Sequence, residues 1–252
     1  MKNIHKKTIS NFSERIAKRI ARSGVCSRRE AERLIIEGKV KLNEKIVYQC
    51  NINVNKNDWI SVDGKPIPKI EQVRLWLFFK EKGFLVTNND PNGRPTIFDK
   101  IKSKVNNRMI AIGRLDINSE GLLLLTNSGD LARKLELPNS GFTRTYKVRV
   151  FGQIDKKKLT FLKKGIEIDG VKYKSISAKL DNQQKSNAWI TMAFNEGKNR
   201  EIRKIMTYFG YSVNRLIRIS YGPFSLNSLK PNDLVEIEQK KLYEIFKLPY
   251  SK

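Results

Sequence analysis

The stretch GRLDINSEGLLLLTNSGDLARKL, residues 113–135, holds four consecutive leucines and a threonine at residues 122–126. A short apolar run bounded by turn residues is typical of a strand that is buried on both faces. One acid, Asp116, stands just before the turn sequence NSEG that leads into this strand. This placement predicts a carboxylate at the rim of a buried sheet, fixed by the scaffold and accessible from a cleft. The residues alone leave a second role open, in which Asp116 only caps the turn by accepting from backbone N–H groups.

The chain of 252 residues is strongly basic, with 50 Lys and Arg against 25 Asp and Glu and a net charge of +25. Residues 1–72 contain 16 basic and 8 acidic side chains, so they contribute +8 and the remaining residues contribute +17. A polyanion is the natural partner, because release of counterions from phosphates favours binding. An anionic membrane surface is the weaker alternative, since no long amphipathic helix with an aromatic face is predicted. A third interpretation needs no polyanion partner: the charge reflects a small genome whose proteins are generally rich in lysine.

Composition is typical of a soluble globular protein, with 39% apolar and 30% charged residues. No apolar run approaches the roughly 20 residues that span a bilayer, and the basic N-terminus lacks the apolar segment of a secretory signal. Cys26 and Cys50 are not spaced as a metal-binding pair, and reduced thiols are favoured over a lone disulfide. We therefore expect a cytoplasmic protein with one large domain, or with a small and a medium one.

Residues 1–12 are predicted to form a flexible basic arm, and two short helices follow it. In ERIAKRIARSG, apolar residues recur at helical spacing. In SRREAERLIIEGKV, Ser27 and Glu30 match a capping box, and Gly38 suits the position after a helix end. Short strands are predicted next, in KVKLN, KIVY and DWISVDG. The pattern indicates a small module that is basic on its outer surface.

This module, residues 13–65, resembles the RNA-binding domain first described in ribosomal small-subunit protein four. The resemblance rests on RIAKRIARSGVCSRREAERLIIEGKVKLN and on the later pattern D-x-I-x-V-D-G. In that family the two helices present basic side chains to folded RNA. By position, the resemblance implies RNA contacts from Arg15, Arg28, Arg29, Arg33 and Lys41.

Residues 66–72 contain two prolines and mixed charges and are predicted to be a linker, so a second domain is expected over residues 73–252. Its pattern contains many strands and few helices, and it does not alternate strand and helix as a doubly wound parallel sheet does. The prediction is an α+β chain. A small N-terminal module of two helices and short strands precedes a larger, mainly antiparallel sheet with flanking helices.

Several kinds of catalytic site are excluded by residue content. The single histidine, His5, lies in the predicted arm, so no Ser-His-Asp or Cys-His arrangement and no His-based metal site is expected. The sequence contains neither G-x-x-x-x-G-K-[ST] nor G-x-G-x-x-G, the loops that hold nucleotide phosphates. An enzyme built from this chain would therefore use carboxylate, Tyr, Lys, Arg or hydroxyl groups.

The segment that begins at residue 113 resembles the signature of pseudouridine synthases of the RsuA/RluB type, G-R-L-D-x-x-[ST]-x-G-L-L-[LI]-[LF]-T-N-[DN]-G. The match holds at nearly every position, and Ser128 stands where an acid is common. The family also carries an N-terminal RNA-binding module, so the resemblance spans nearly the whole chain. It implies isomerisation of uridine in RNA: uracil is detached from its ribose, rotated and rejoined through a carbon–carbon bond. This reaction needs no cofactor and no metal.

The resemblance also implies roles for individual residues. Asp116 takes the position of the catalytic aspartate, which attacks as a nucleophile or abstracts a proton; the sequence does not decide between them. Tyr146, in RTYKV, matches the tyrosine that stacks on the target base, and a core tyrosine is the other interpretation. Arg203, in EGKNREIRKIM, matches the basic residue that pairs with the catalytic aspartate and keeps it ionised.

Further residues are implied around this centre. Arg114 would help to fill the space left by the flipped base, and Leu216 would line the uracil pocket unless it is a plain core residue. Arg200, Arg203 and Lys204 are expected to share a helical face, so a phosphate-binding face is a second interpretation of all three.

The target RNA is expected to be large-subunit (23S) ribosomal RNA, free or in a pre-ribosomal particle. DPNGRPTIFDKI, EGKNREIRKIM and RISYGPFSL all resemble the RluB branch of the family, which modifies that RNA. The alternatives are a synthase for small-subunit (16S) ribosomal RNA and a ribosome-binding protein without catalysis. A pure binder has no need of Asp116, Tyr146 and Arg203 together. No membrane or obligatory protein partner is expected, and a monomer is the default.

Overall fold

The computed structural model describes residues 13–105, 108–137 and 140–247, so the arm predicted over residues 1–12 lies outside the described residues. Contacts divide the chain into two units, the first ending at Gln72 and the second beginning at Val73. Each unit has its own hydrophobic core.

The first unit begins with a short strand and two helices. They are β1 (Ser13–Arg15), α1 (Ile16–Arg22) and α2 (Arg28–Ile36). The Ser27 hydroxyl accepts from the backbone N–H of Glu30 at 3.1 Å and caps α2, which is one half of the predicted capping box. The Glu30 carboxylate bonds Arg33 instead of returning to the Ser27 N–H. At the other end Gly38 has φ +70°, and the N–H of Lys39 returns to the carbonyl of Leu34 at 3.0 Å. This left-handed turn ends the helix and leads into strand β2.

Five short strands complete the first unit: β2 (Val40–Leu42), β3 (Lys45–Ile46), β4 (Asn53–Asn55), β5 (Ile60–Val62) and β6 (Lys65–Pro66). A four-stranded sheet has the order β3-β2-β5-β6, and β4 pairs with β1. Strand β6 reaches one residue into the segment predicted as a linker, and Ile67 still packs against the first unit's core.

The second unit is built on a nine-stranded sheet. In chain order its nine strands are β7 (Leu75–Lys80), β8 (Ile110–Ile112), β9 (Glu120–Thr126), β10 (Arg144–Phe151), β13 (Ser177–Gln184), β14 (Asn187–Phe194), β15 (Ser212–Tyr221), β16 (Phe224–Ser225) and β17 (Leu234–Glu236). Between β10 and β13 the chain forms a separate hairpin of β11 (Ile166–Ile168) and β12 (Val171–Tyr173). The order is β13-β14-β10-β15-β9-β7-β17, with β16 beside β15 and β8 beside β9. Neighbouring strands are antiparallel except β15 and β9, which run parallel. The sheet is therefore mainly antiparallel, as the sequence predicts.

Helices cover the two faces of this sheet unequally. They are α3 (Ile97–Ile101), α4 (Gly129–Glu136), α5 (Lys156–Phe161), which continues into a 3-10 turn (Leu162–Lys164), α6 (Glu201–Tyr208) and α7 (Gln239–Phe246). Helices α3, α5 and α6 pack on one face and form the larger core with it, and α4 and α7 form the smaller core on the other face. In β9, Leu123 and Leu125 join the larger core, and Leu122 and Leu124 join the smaller one. The central strand is therefore buried on both faces, as its sequence predicts.

Gly121 allows the parallel strands β9 and β15 to meet. It lies opposite Arg218 in the register and has φ +103°. A Cβ atom at this position would lie 2.3 Å from the carbonyl oxygen of Arg218, which is far inside van der Waals contact. A glycine is therefore required directly after the loop that carries Asp116.

Candidate active site

Asp116 lies in the loop between β8 and β9, at the rim of the sheet. Leu115 anchors this loop in the larger core, and the carbonyl of Asp116 accepts from the N–H of Ser119 at 2.9 Å. The N–H of Gly83 donates to the carbonyl of Ile117 at 2.8 Å and ties the loop to the segment after β7. Asp116 is half-buried, and within the described residues no backbone N–H donates to its carboxylate. The turn thus uses the backbone of Asp116 and leaves its carboxylate available.

Lys80, at the end of β7, holds this loop through hydrogen bonds from its side chain to the loop backbone. Its side chain is fully buried, and Nζ donates to the carbonyls of Asp116 at 3.1 Å, Ser119 at 2.8 Å and Glu81 at 2.9 Å. Burial lowers the pKa of Lys80 to about 8, against the opposing influence of the Asp116 and Glu120 charges. The sequence reasoning did not single out this residue. A signal was present, because Lys80 continues the alternation of Trp76 and Phe78 toward the larger core.

Arg203 reaches the same loop from α6. Its guanidinium donates to the carbonyl of Asn118 at 3.2 Å and to that of Val213 at 3.0 Å. Burial and the charge of Arg200 lower the pKa of Arg203, and the charge of Asp116 raises it. Within the described residues these carbonyls, not the Asp116 carboxylate, accept its hydrogen bonds. Arg203 therefore bridges the Asp116 loop to β15 and acts on the carboxylate at longer range.

Tyr146 and Leu216 lie on the sheet face that carries α6. Tyr146 is 8% exposed, and its ring stacks on Phe194 with centroids 5.4 Å apart and an angle of 7° between the planes. In the register Tyr146 is opposite Arg218 of β15, and Leu216 lies two residues earlier on that strand. Both are buried in the larger core, so their placement fits the expected contacts with a base and also fits core packing.

Arg200 does not share a helix with Arg203 and Lys204, contrary to the sequence expectation. It has φ +51° and precedes α6, because the chain turns at Lys198, whose carbonyl accepts from the N–H of Glu201. Arg200 and Lys204 are both exposed, as is Arg114 beside Asp116.

Glu201 begins α6 and is almost fully buried, although it is an acid. One carboxyl oxygen accepts from the backbone N–H of Lys198 at 3.0 Å. Burial and the nearby charge of Glu196 raise the pKa of Glu201 to about 8. Burial alone would raise the pKa of Glu196, but the bonds from the Lys174 N–H at 2.6 Å and from Lys198 Nζ at 3.1 Å lower it. Burial and the charge of Glu196 therefore both favour the protonated form of Glu201. This feature was also missed, because a glutamate in the first turn of a helix is ordinary in sequence.

The basic residues implied for RNA contact in the first unit, Arg15, Arg28, Arg29, Arg33 and Lys41, are all exposed. Two of these basic residues already pair with acids on α2 or directly after it. Arg28 pairs with Glu32 at 3.4 Å, and Arg33 pairs with Glu37 at 2.6 Å and also with Glu30. In the described part of the chain, Arg15, Arg29 and Lys41 have no ion-pair partner.

Two further observations concern the described residues as a whole. They contain no group of three or more His, Cys, Asp or Glu side chains that could hold a metal ion. Among them there is also no helix that is both long and apolar enough to cross a membrane.

Known proteins resemble the chain along most of its length. A family model described as RNA pseudouridylate synthase matches residues 74–208, and one described as S4 domain matches residues 14–60. An uncharacterized RNA pseudouridine synthase of Rickettsia felis is 47% identical over 232 residues, which cover 91% of this chain and 99% of the relative. A ribosomal large subunit pseudouridine synthase B of Salmonella typhi is 39% identical over 220 residues, covering 85% and 76%.

A solved structure shows the same fold. The crystal structure of a pseudouridylate synthase superposes with a TM-score of 0.64 at 24% identity, covering 92% of this chain and 99% of that one. The α+β fold class and the family expected from the sequence are thereby confirmed. With a family model over more than half of its residues and relatives matched over most of their length, the chain belongs to the RNA pseudouridylate synthase family.

Proposed function

We propose that this protein isomerises a uridine of large-subunit (23S) ribosomal RNA to pseudouridine in the cytoplasm, without cofactor or metal. The observation that carries the proposal is the placement of Asp116. Its loop is held by three interactions through Lys80, Gly83 and Arg203, while its carboxylate accepts no backbone N–H within the described residues. A fixed and available carboxylate suits a nucleophile or a base.

The reaction needs a group that breaks and remakes a bond to uracil, and a surface that holds the base meanwhile. Asp116 would supply the first as a nucleophile or a base, at the sugar or at the base. Tyr146 would stack on the flipped base, and Leu216 would contact its edge. Arg203 would hold the loop and favour the ionised carboxylate, because its positive charge lies within electrostatic reach.

The substrate assignment follows from the similar proteins. The Salmonella relative is named for the large ribosomal subunit, and the first unit matches a domain whose family presents basic helices to folded RNA. In this proposal residues 13–65 bind RNA, residues 66–72 link them to the catalytic residues 73–252, and the protein works as a monomer. Arg114, Arg200 and Lys204 would contact RNA near Asp116.

The experiment that tests the proposal is a map of pseudouridines in ribosomal RNA from cells with wild-type protein, with Asp116→Asn, and without the protein. We expect one or more 23S sites to depend on the wild-type protein and to be lost with Asp116→Asn, while RNA affinity changes little. Asp169→Asn, in the exposed turn between β11 and β12, is the matched control and should keep the modification. A site in 16S RNA would move the target to the small subunit. Full modification by Asp116→Asn would remove Asp116 from the chemistry. Binding of ribosomal RNA with no dependent site would favour a non-catalytic binder.

A further inference from the structure

One half of the large sheet has a face that no helix covers within the described residues. Helices α4 and α7 pack over β7, β8 and β9, and none of the hydrophobic side chains in that smaller core comes from β10, β13 or β14. In strand β10, Tyr146, Val148 and Val150 point into the larger core, so Lys147, Arg149 and Phe151 point to the opposite face. The outward residues of β13, β14, β10 and β15 therefore form an uncovered surface, which we call the open sheet face.

The open sheet face combines cations with aromatic rings. Its first row runs across the sheet from Trp189 of β14 to Arg149 of β10 and then to Arg215 of β15. Its second row contains Lys179 of β13, Thr191 of β14, Lys147 of β10 and Ile217 of β15. Phe151 stands at the end of β10 and is 55% exposed.

The acids on this surface hold two of its cations in place. Asp181 accepts from Lys147 Nζ at 2.9 Å and from the Thr191 hydroxyl at 2.7 Å. Glu120 accepts from both Nε and Nη2 of Arg215, at 3.0 and 2.8 Å.

The remaining two cations of the open sheet face are Arg149 and Lys179. Both are exposed, and within the described residues neither has an acidic partner. Arg149 is the direct cross-strand neighbour of Trp189, so a cation and a partly buried ring stand side by side.

We propose that the open sheet face binds a single-stranded segment of RNA, separately from the site around Asp116. Bases stack on aromatic side chains regardless of their identity, and cations beside the rings neutralise the phosphates. Trp189 and Phe151 would supply the stacking surfaces, and Arg149 and Lys179 the phosphate contacts. Charge favours RNA over a protein partner, because the face carries four cations against two acids in a chain of net charge +25.

The proposal rests on RNA as the partner class but not on isomerisation. Tyr146 and Lys147 are successive residues of β10 and point to opposite faces of the sheet. A strand bound to the open sheet face therefore leaves the Asp116 side available. The role would be to hold an unpaired part of a large RNA while its target uridine is in the active site.

The test measures binding of the full-length protein to a fluorescent single-stranded RNA of about 12 nucleotides, a length within the range of known single-strand sites. The variants are Trp189→Ala, Trp189→Phe, and the double variant Arg149→Gln with Lys179→Gln. The matched control is Lys240→Gln with Lys241→Gln, which removes the same charge from exposed positions of α7. Thermal melting of each variant checks that the fold is retained.

We expect Trp189→Ala to weaken binding roughly tenfold and Trp189→Phe to restore it, because the loss is one of stacking. The Arg149 and Lys179 double variant should weaken binding and reduce the slope of log affinity against log salt by about 1.4, from two lost phosphate contacts at about 0.7 each. The α7 control should stay within about twofold.

Two results would overturn the proposal. Equal effects of the two double variants would mean that only overall charge matters, and an unchanged Trp189→Ala would exclude stacking. In the second case, if the Trp189→Ala protein also no longer binds purified ribosomal particles, the open sheet face binds a protein instead. Because binding is measured without turnover, the result for this surface holds even if the protein makes no pseudouridine.

Discussion

Lys80 Nζ donates to the backbone carbonyl of Asp116 across a distance of 3.1 Å, and the same ammonium also holds Ser119 at the other end of the turn. The candidate catalytic residue is therefore fixed through its main chain, by a cation buried at the end of β7. This arrangement leaves the carboxylate of Asp116 for other partners. It also makes the position of the loop depend on Lys80, together with the contacts from Gly83 and Arg203.

Replacement of Lys80 by methionine tests this dependence. Lys80→Met removes three hydrogen bonds; the carbonyl of Asp116 keeps the N–H of Ser119, but those of Glu81 and Ser119 lose the Lys80 donor, and each unsatisfied buried group costs about 1–3 kcal/mol. We expect a lower free energy of unfolding and a fall in kcat of about 100-fold, because a small displacement of a catalytic group has effects of that size. The exposed Lys82 provides the matched control, and Lys82→Met should change neither quantity. Wild-type kcat in a folded Lys80→Met protein would show that the loop holds itself.

The sequence predicted the elements of this site better than their contacts. Alternation and turn residues indicated that β9 is buried on both faces and that Asp116 stands at its rim. The same reasoning could not show that β9 runs parallel to β15, since the paired residues Gly121 and Arg218 are far apart in the chain and periodicity identifies a face but not a neighbour.

The sequence predicted that Arg203 forms an ion pair with Asp116. In the structure Arg203 instead donates to the carbonyl of Asn118, 85 positions away in the chain. Residue type indicated a cation near the loop, but hydrogen bonds to backbone carbonyls depend on the local path of the chain. Lys80 was overlooked because lysine is rarely fully buried, although its position in the alternation of β7 was visible.

Arg203 should affect turnover more than affinity. Arg203→Met removes the bridge between the carbonyls of Asn118 and Val213 and the charge near Asp116. We expect kcat to fall by at least about 100-fold with a small change in KM. Arg203→Lys should recover part of the activity, since it keeps the charge but loses the planar fork.

Lys204→Met is the comparison on the same helix. Lys204 is exposed and is proposed to contact phosphate, so its loss should raise KM and leave kcat nearly unchanged. Steady-state kinetics on the natural RNA separates the two variants. If Arg203→Met raises only KM, Arg203 is an ordinary phosphate contact.

The unpaired cations of the first unit should determine part of the salt dependence of RNA binding. Arg15 and Arg29 are exposed and have no acidic partner among the described residues. The double variant Arg15→Gln with Arg29→Gln should reduce the slope of log affinity against log salt by about 1.4–1.8, at 0.7–0.9 per contact. Lys240→Gln with Lys241→Gln again serves as the charge-matched control. Equal slopes for both double variants would mean that the helices of the first unit do not touch RNA.

The buried carboxyl of Glu201 should make stability depend on pH. Its folded pKa of about 8 lies above its ordinary value of 4.5, because of burial and the charge of Glu196. An acid whose pKa is raised by folding contributes stability that is complete below its ordinary pKa. This contribution is lost as pH rises through the pKa of the folded state. The free energy of unfolding should therefore fall between about pH 4.5 and pH 8. Lys80 acts in another window, since its lowered pKa increases stability only from about pH 8 toward its ordinary 10.5.

Glu201→Gln isolates this contribution, because glutamine has nearly the same shape and cannot ionise. Denaturant unfolding at pH 5, 7 and 9 should show a flatter pH dependence for Glu201→Gln than for wild type. We expect the variant to gain more than about 1 kcal/mol relative to wild type between pH 5 and pH 9, since each unit of pKa shift corresponds to about 1.4 kcal/mol. Glu244→Gln, at an exposed position of α7, should follow the wild-type curve. Parallel curves for Glu201→Gln and wild type would show that the pKa of Glu201 is not raised in the folded protein.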